Sequence, residues 1–295
     1  MTATASPPQP RPWAGALAVA RHTLQESLRR RVLLVVALLT ALFGAGYWFV
    51  ATQAFEETES AGGIRDIDEH ALVGGTLVGL AMFGTMFLGT VLGAFLTLGA
   101  VRGDAERGVL QPIVVRPMGR ASVLLARFAA AATVCIGYVI VVLLGAMCLI
   151  RVVGGYWPDR IAQPVLQLAA AVVVIVALSV LGSTVLSTNA NGIAVFMVFG
   201  GGLVAGLIGQ IGEAVNSPTM QDVAFWGSHL LPFQALYQGG LDALTADTRG
   251  LTGVIVRLGP FGGAEASGPG LWAWAALFTV GVLAAAVALF ARRDL

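Results

Sequence analysis

Five long runs without a charged side chain divide this sequence: Val32 to Phe55, Ala71 to Val101, Phe128 to Ile150, Ile161 to Gly212 and Ala266 to Ala291. A helix crosses the ~30 Å hydrocarbon layer of a bilayer with roughly 20 apolar residues. Inside that layer every backbone N–H and C=O must be bonded within the protein, so each run predicts a membrane-spanning helix. The fourth is long enough for two spans, and the polar, turn-favouring "STNAN" at Ser187 to Asn191 is the place to divide it. Six spans result, and the fold class is an all-α integral membrane protein. A signal peptide competes for the first run because Arg29, Arg30 and Arg31 precede it. That run exceeds a usual signal core, however, and no small-x-small cleavage site closes it neatly.

Composition agrees with a bilayer rather than with soluble domains, since 57% of the 295 residues are hydrophobic, 11% are charged and the mean hydropathy is +0.83. Orientation follows from the arginines, because basic loops stay cytoplasmic. With both termini inside, the inner segments hold Arg11, Arg21, Arg29, Arg30, Arg31, Arg102, Arg107, Arg116, Arg120, Arg127, Arg292 and Arg293. Only Arg65, Arg151, Arg160, Arg249 and Arg257 fall outside, where most of the 16 acids also lie. A multi-pass protein of the cytoplasmic (inner) membrane is expected.

Several functions are disfavoured. The chain has no lysine, and a Walker A loop needs one to reach the phosphates of ATP. No Asp, Glu, Lys or His falls within the runs, where a proton-driven secondary transporter would carry its relay, although a sodium site built from backbone would stay invisible. Catalysis in this chain is not expected, because His22, His70 and His229 form no H-E-x-x-H motif and no intramembrane haem pair. His70 and His229 as a shared metal site compete with the plainer reading of two solvent-facing or capping groups. Cys135 and Cys148, thirteen apart in the third run, read as small apolar packers rather than a disulfide or metal site.

Outside the spans, residues 1–12 are small, polar and rich in proline, and predict a disordered tail. Over 13–31, Trp13, Leu17, Ala20, Leu24 and Leu28 recur at helical spacing among basic and polar residues. This predicts an amphipathic helix on the inner leaflet, with a solvated cytoplasmic helix as the alternative. Residues 32–295 then make the six-helix membrane domain. Within it, Gly75 and Gly79, Gly89 and Gly93, and Gly202 and Gly206 stand at a spacing that lets helix backbones approach closely. Glycines scattered through a glycine-rich chain would look the same. The acidic stretch Gln53 to His70 suggests either a cation site or a solvated outer loop obeying the charge bias. In the outer segment 213–270, Phe225 to Leu244 is apolar but interrupted by His229, Pro232 and Asp242. It predicts one or two short helices on or dipping into the outer leaflet, a re-entrant segment before the last span.

The segment Arg102 to Arg120 holds six charged residues in nineteen, so immersion in hydrocarbon would cost ~2.5–3.5 kcal/mol for each, and it must be cytoplasmic. Asp104 can cap a short helix with Glu106 in its first turn, and Pro112 and Pro117 keep it short. Leu110, Ile113 and Val114 then form an apolar ridge suited to a groove on another protein. An ordinary basic loop that sets topology is the plainer reading. The pattern Glu106, Gly108, Val109, Leu110, then Arg116, Pro117 and Arg120 resembles the E-x-G-x-L … P-x-x-R signature between the second and third spans of ABC-2 type transporter permeases. The basic helix before the first span, the six spans, the outer segment and the terminal "RRDL" are similar to that family too; Pro112 departs from it and leaves the end of the short helix in doubt.

The resemblance implies the transmembrane permease subunit of an ATP-driven transporter, acting as an exporter. Two permease copies, identical or related, would pair, and separately encoded ABC ATPase subunits would dock on Asp104, Glu106, Gly108, Leu110, Ile113, Arg116, Pro117 and Arg120. No cofactor is expected in this chain and MgATP is expected on the partner ATPase; nucleic acid is not expected as a partner, and accessory proteins have room beside the bilayer. Candidate translocation-lining residues are Ser179, Ser183, Thr184, Ser187, Asn189 and Asn191, whose hydroxyls would alternatively bond their own helix backbone. An ion-driven secondary transporter is the alternative function.

Overall fold

A computed structural model describes residues 31–60, 69–97, 120–158, 160–245 and 268–292. The expected tail (1–12), the interfacial helix (13–31, apart from Arg31), the coupling segment as far as Gly119, the acidic stretch 61–68, the loop 246–267 and the last three residues lie outside the described residues. Those described form helices α1 Arg31–Ser60, α2 Glu69–Thr97, α3 Arg120–Gly154, α4 Ala162–Val185, α5 Thr188–Ala214, α6 Pro218–Leu230, α7 Pro232–Thr245 and α8 Gly270–Ala291, with no strand among them. Six of these, α1 to α5 and α8, are long and apolar enough to cross a membrane.

Helix ends depart from the apolar runs because backbone bonding, not hydropathy, terminates a helix. Thus α1 continues through Glu56 and Glu57 to Ser60, while α3 starts at Arg120, eight residues before its apolar run. Arg120 therefore opens a span as well as closing the charged segment. The division of the fourth run falls at Leu186 and Ser187, and Thr188 to Asn191 already form the first turn of α5. At Ser187 the hydroxyl makes no capping bond, although its carbonyl accepts the N–H of Asn191 at 2.8 Å.

At the centre stands α4, which is apolar on every side and packs against α2, α3, α5, α7 and α8. A helix hydrophobic all round is expected to be buried. Its valines meet glycines of α2: a Cβ on Gly93 would lie 2.8 Å from Val176 Cγ2 and one on Gly89 3.1 Å from Val172 Cγ2. These close approaches give the glycine spacing in α2 a packing role. At the periphery α1 packs on α2 and α3, leaving Leu34, Leu38, Leu42 and Phe49 exposed, as lipid-facing residues should be.

Between α5 and α8 the chain makes a helical hairpin. Met220 of α6 meets Gly212 of α5, Ala224 meets Gly209 and Gly227 meets Ala205, so α6 runs back along α5 in antiparallel register. Pro232, suited to a first helical position, then starts α7. The Phe233 ring stacks on Phe199 at 6.4 Å and covers Gly202, near the midpoint of α5. From there α7 climbs along α4 and α2, with Gly240 against Met82 and Gln167 and Leu241 near Gly79.

Candidate functional site

Two polar regions interrupt the apolar interior, one at each end of α5. At the end where α2 and α4 finish and α5 begins, Thr97, Ser179, Ser183, Thr184 and Asn191 are all buried. The Thr97 hydroxyl donates to the Gly93 carbonyl at 2.8 Å and lies 2.5 Å from Ser179 Oγ, so Ser179 is left to donate to Thr97. From α5, Asn191 Nδ2 donates to the Ser179 carbonyl at 3.0 Å, while its Oδ1 has no partner. This knot ties α2, α4 and α5 together, and the segment 98–119 leaves one of them, α2, at Thr97 and enters α3 at Arg120.

The six residues expected along a translocation path therefore divide. Ser179 and Asn191 join α4 to α5, whereas Ser183 and Thr184 donate to carbonyls of their own helix, Val180 and Leu181, both at 2.7 Å. Ser187 and Asn189 are exposed at the α4–α5 junction. Thr97 was not singled out by the sequence; a threonine within an apolar run, four residues before its end, is too common a pattern. Of the expected ATPase-coupling residues, Asp104, Glu106, Gly108, Leu110, Ile113, Arg116 and Pro117 lie outside the described residues, and Arg120 begins α3.

At the opposite end a cavity of about 560 Å³ opens between α5, α6 and α7. Gly206, Gln210 and Glu213 line it from α5, Asp222, Phe225 and His229 from α6, and Gln234 and Gln238 from α7. Room for it comes partly from glycine, since a side chain at Gly206 would occupy the position of the Gln234 amide. Gln234 and Gln238 are one helical turn apart, and on this spacing both amides face α5. His229 stacks on Phe225 at 4.1 Å and accepts the Trp274 indole N–H at its carbonyl, 3.0 Å away, which links the hairpin to α8. His70 instead stacks on Phe55 at 5.0 Å. Among the described residues no group of three His, Cys, Asp or Glu lies together to hold a metal ion.

A family model described as ABC-2 family transporter protein matches residues 17–295, nearly the whole chain. The chain belongs to the ABC-2 transporter family. It is thus a multi-pass membrane transport subunit rather than an enzyme, and the six long apolar helices are those of an ABC-2 permease. No curated protein matches the chain significantly. In this ABC-2 permease the knot and the cavity sit at opposite ends of α5, with Asn191 and Gln210 nineteen residues, roughly 28 Å, apart along it.

Proposed function

We propose that the chain is the permease subunit of an ATP-driven exporter of the inner membrane, working as a dimer with ATPase subunits carried on separate chains. The observation that carries this reading is the ABC-2 family match over 17–295 in a chain with no lysine, and so no P-loop of its own. Energy must then arrive through contact with a protein that binds MgATP. The segment 102–120 is the docking element, with the apolar ridge Leu110 and Ile113 filling a groove on the ATPase and Glu106 and Arg116 flanking it. Docking there acts directly on the inner ends of α2 and α3, next to the Thr97–Ser179–Asn191 knot.

Both termini lie in the cytoplasm, as the arginine bias requires. On this topology α5 leads outward, α6 re-enters the bilayer along it, and α7 returns; the contact of Phe233 with Gly202, about twelve residues or ~18 Å before the end of α5, sets the depth of re-entry. The helical break at Leu231 stays covered by protein there, since Leu231 packs against the core, which is the condition for irregular backbone at such depth.

Replacement of Leu110 and Ile113 together by Asp tests the docking claim. The ATPase should be lost from a pull-down while the permease remains inserted, because the segment lies outside the hydrocarbon. Undiminished association would place the docking surface elsewhere. In liposomes, transport should start on addition of the ATPase with MgATP and should be absent under a pH or sodium gradient alone; gradient-driven uptake by the single chain would establish a secondary transporter instead.

A further inference from the structure

The cavity between α5, α6 and α7 has a floor and a rim of different chemistry. On the floor Gln234 is only 1% exposed, yet neither its Nε2 nor its Oε1 has a hydrogen-bond partner. Gln238 beside it is 7% exposed, and Gln210 across from it also has an unpartnered Nε2. A buried amide left unbonded forfeits the hydrogen bonds it had in water, so the floor is suited to something that enters and bonds to it. Gln234 presents a donor and an acceptor side by side. A hydroxyl both donates and accepts, and so satisfies such an edge, whereas an ammonium group only donates.

The rim selects charge. Glu213 and Asp222 are exposed at the mouth, and among the described residues no arginine lines the cavity. Two carboxylates beside low-dielectric walls concentrate cations and repel anions. A metal ion is a poor match, because the described residues bring no three ligating groups together. The volume of about 560 Å³ falls within the ~300–1,000 Å³ usual for small-molecule sites.

We propose that this cavity binds a hydroxylated organic cation, with its ammonium groups at Glu213 and Asp222 and its hydroxyls on the amide floor at Gln234. The site is a property of this chain alone, so binding is measured without ATPase or ATP, and its failure would leave the ATP-driven reading untouched.

The test is titration calorimetry on the full chain in phosphatidylcholine nanodiscs, with empty nanodiscs as the blank. The probe is kanamycin, which carries ammonium groups and hydroxyls on linked rings; trehalose supplies hydroxyls without charge. Kanamycin should bind with a Kd below about 1 mM, and trehalose at least about tenfold more weakly. Glu213→Gln and Asp222→Asn keep shape at exposed positions and so keep the fold; each should weaken kanamycin about two- to fivefold, with more than either in the double variant. Gln234→Leu should weaken binding as well, with its fold checked by thermal unfolding. No binding of kanamycin, equal binding of trehalose, full affinity in the rim double variant, or full affinity in a folded Gln234→Leu variant would each overturn the proposal.

Discussion

Gly182→Ala adds one methyl group to α4, and by helix propensity alone it should stabilise the protein by about 1 kcal/mol. The structure reverses the sign. A Cβ at Gly182 would lie 3.1 Å from Asn191 Cγ and within contact distance of its Oδ1, so the Asn191 side chain must leave. Its 3.0 Å bond to the Ser179 carbonyl goes with it. Interhelical side-chain bonds in membranes average about 0.6 kcal/mol, and overpacking a close contact costs about 1–3 kcal/mol. Set against the propensity gain, the net loss is about 1–2 kcal/mol, or a fall in Tm of roughly 2–3 °C for a chain of this size. Thermal unfolding in detergent can be followed with a thiol-reactive fluorophore in a Cys148→Ser background, because Cys135 is buried and becomes reactive only on unfolding while Cys148 is exposed. The decisive comparison is the double variant. Asn191→Ala removes the side chain that the methyl collides with, and it also removes the buried, unpartnered Oδ1. Gly182→Ala with Asn191→Ala should therefore melt above Gly182→Ala alone. If the second substitution lowers Tm further, Asn191 does not pack on Gly182 and the Thr97–Ser179–Asn191 knot is misassigned.

Topology and the hairpin give two further tests. Cysteines placed at Asp66 and Asp247 should react with an impermeant thiol reagent from outside, and one at Gly119 should not; outside labelling of Gly119 would overturn the six-span arrangement. Phe233→Ala should cost about 3–5 kcal/mol by the same unfolding assay, because the ring is fully buried on Phe199 and Gly202. A loss below about 1 kcal/mol would mean that α7 does not rest on α5.

What the sequence made legible was the part governed by hydrocarbon. Six spans follow from uncharged runs because the bilayer punishes charge at any position along a helix, and that signal is written in every residue of α1 to α5 and α8. The polar sites were less legible for a physical reason. Threonine and serine satisfy themselves on their own helix, as Ser183 and Thr184 do, or bridge to a neighbour, as Ser179 does, and only the approach of a second helix decides between the two. For the cavity the available signal was Gln210, Gln234 and Gln238, amides in mostly apolar helices, with Gln234 and Gln238 one turn apart. Amides cost less than carboxylates in a membrane and attract less notice in a search for ionisable relays. Their convergence depends on Gly206 admitting α7 close to α5, which is a tertiary fact.

The two helices of the hairpin are held unequally, and this determines which of them yields first. Along α7, Phe233, Leu236 and Tyr237 are fully buried and pack into the main core around α4. In contrast α6 has no buried residue; its seam with α5 is made where Gly209 meets Ala224 and Gly227 meets Ala205, with few large side chains interlocked. Segments with little buried apolar surface open at lower free energy than those in the core. If access to the outer cavity requires movement, α6 swings while α7 stays fixed to α4. Hydrogen exchange of the reconstituted chain should then find the amides of 220–229 exchanging well before those of 234–243, by about tenfold or more if the difference in opening free energy exceeds about 1.4 kcal/mol. Equal protection along both helices would show the hairpin to be one rigid unit, and α6 would then be excluded as the moving wall of the cavity.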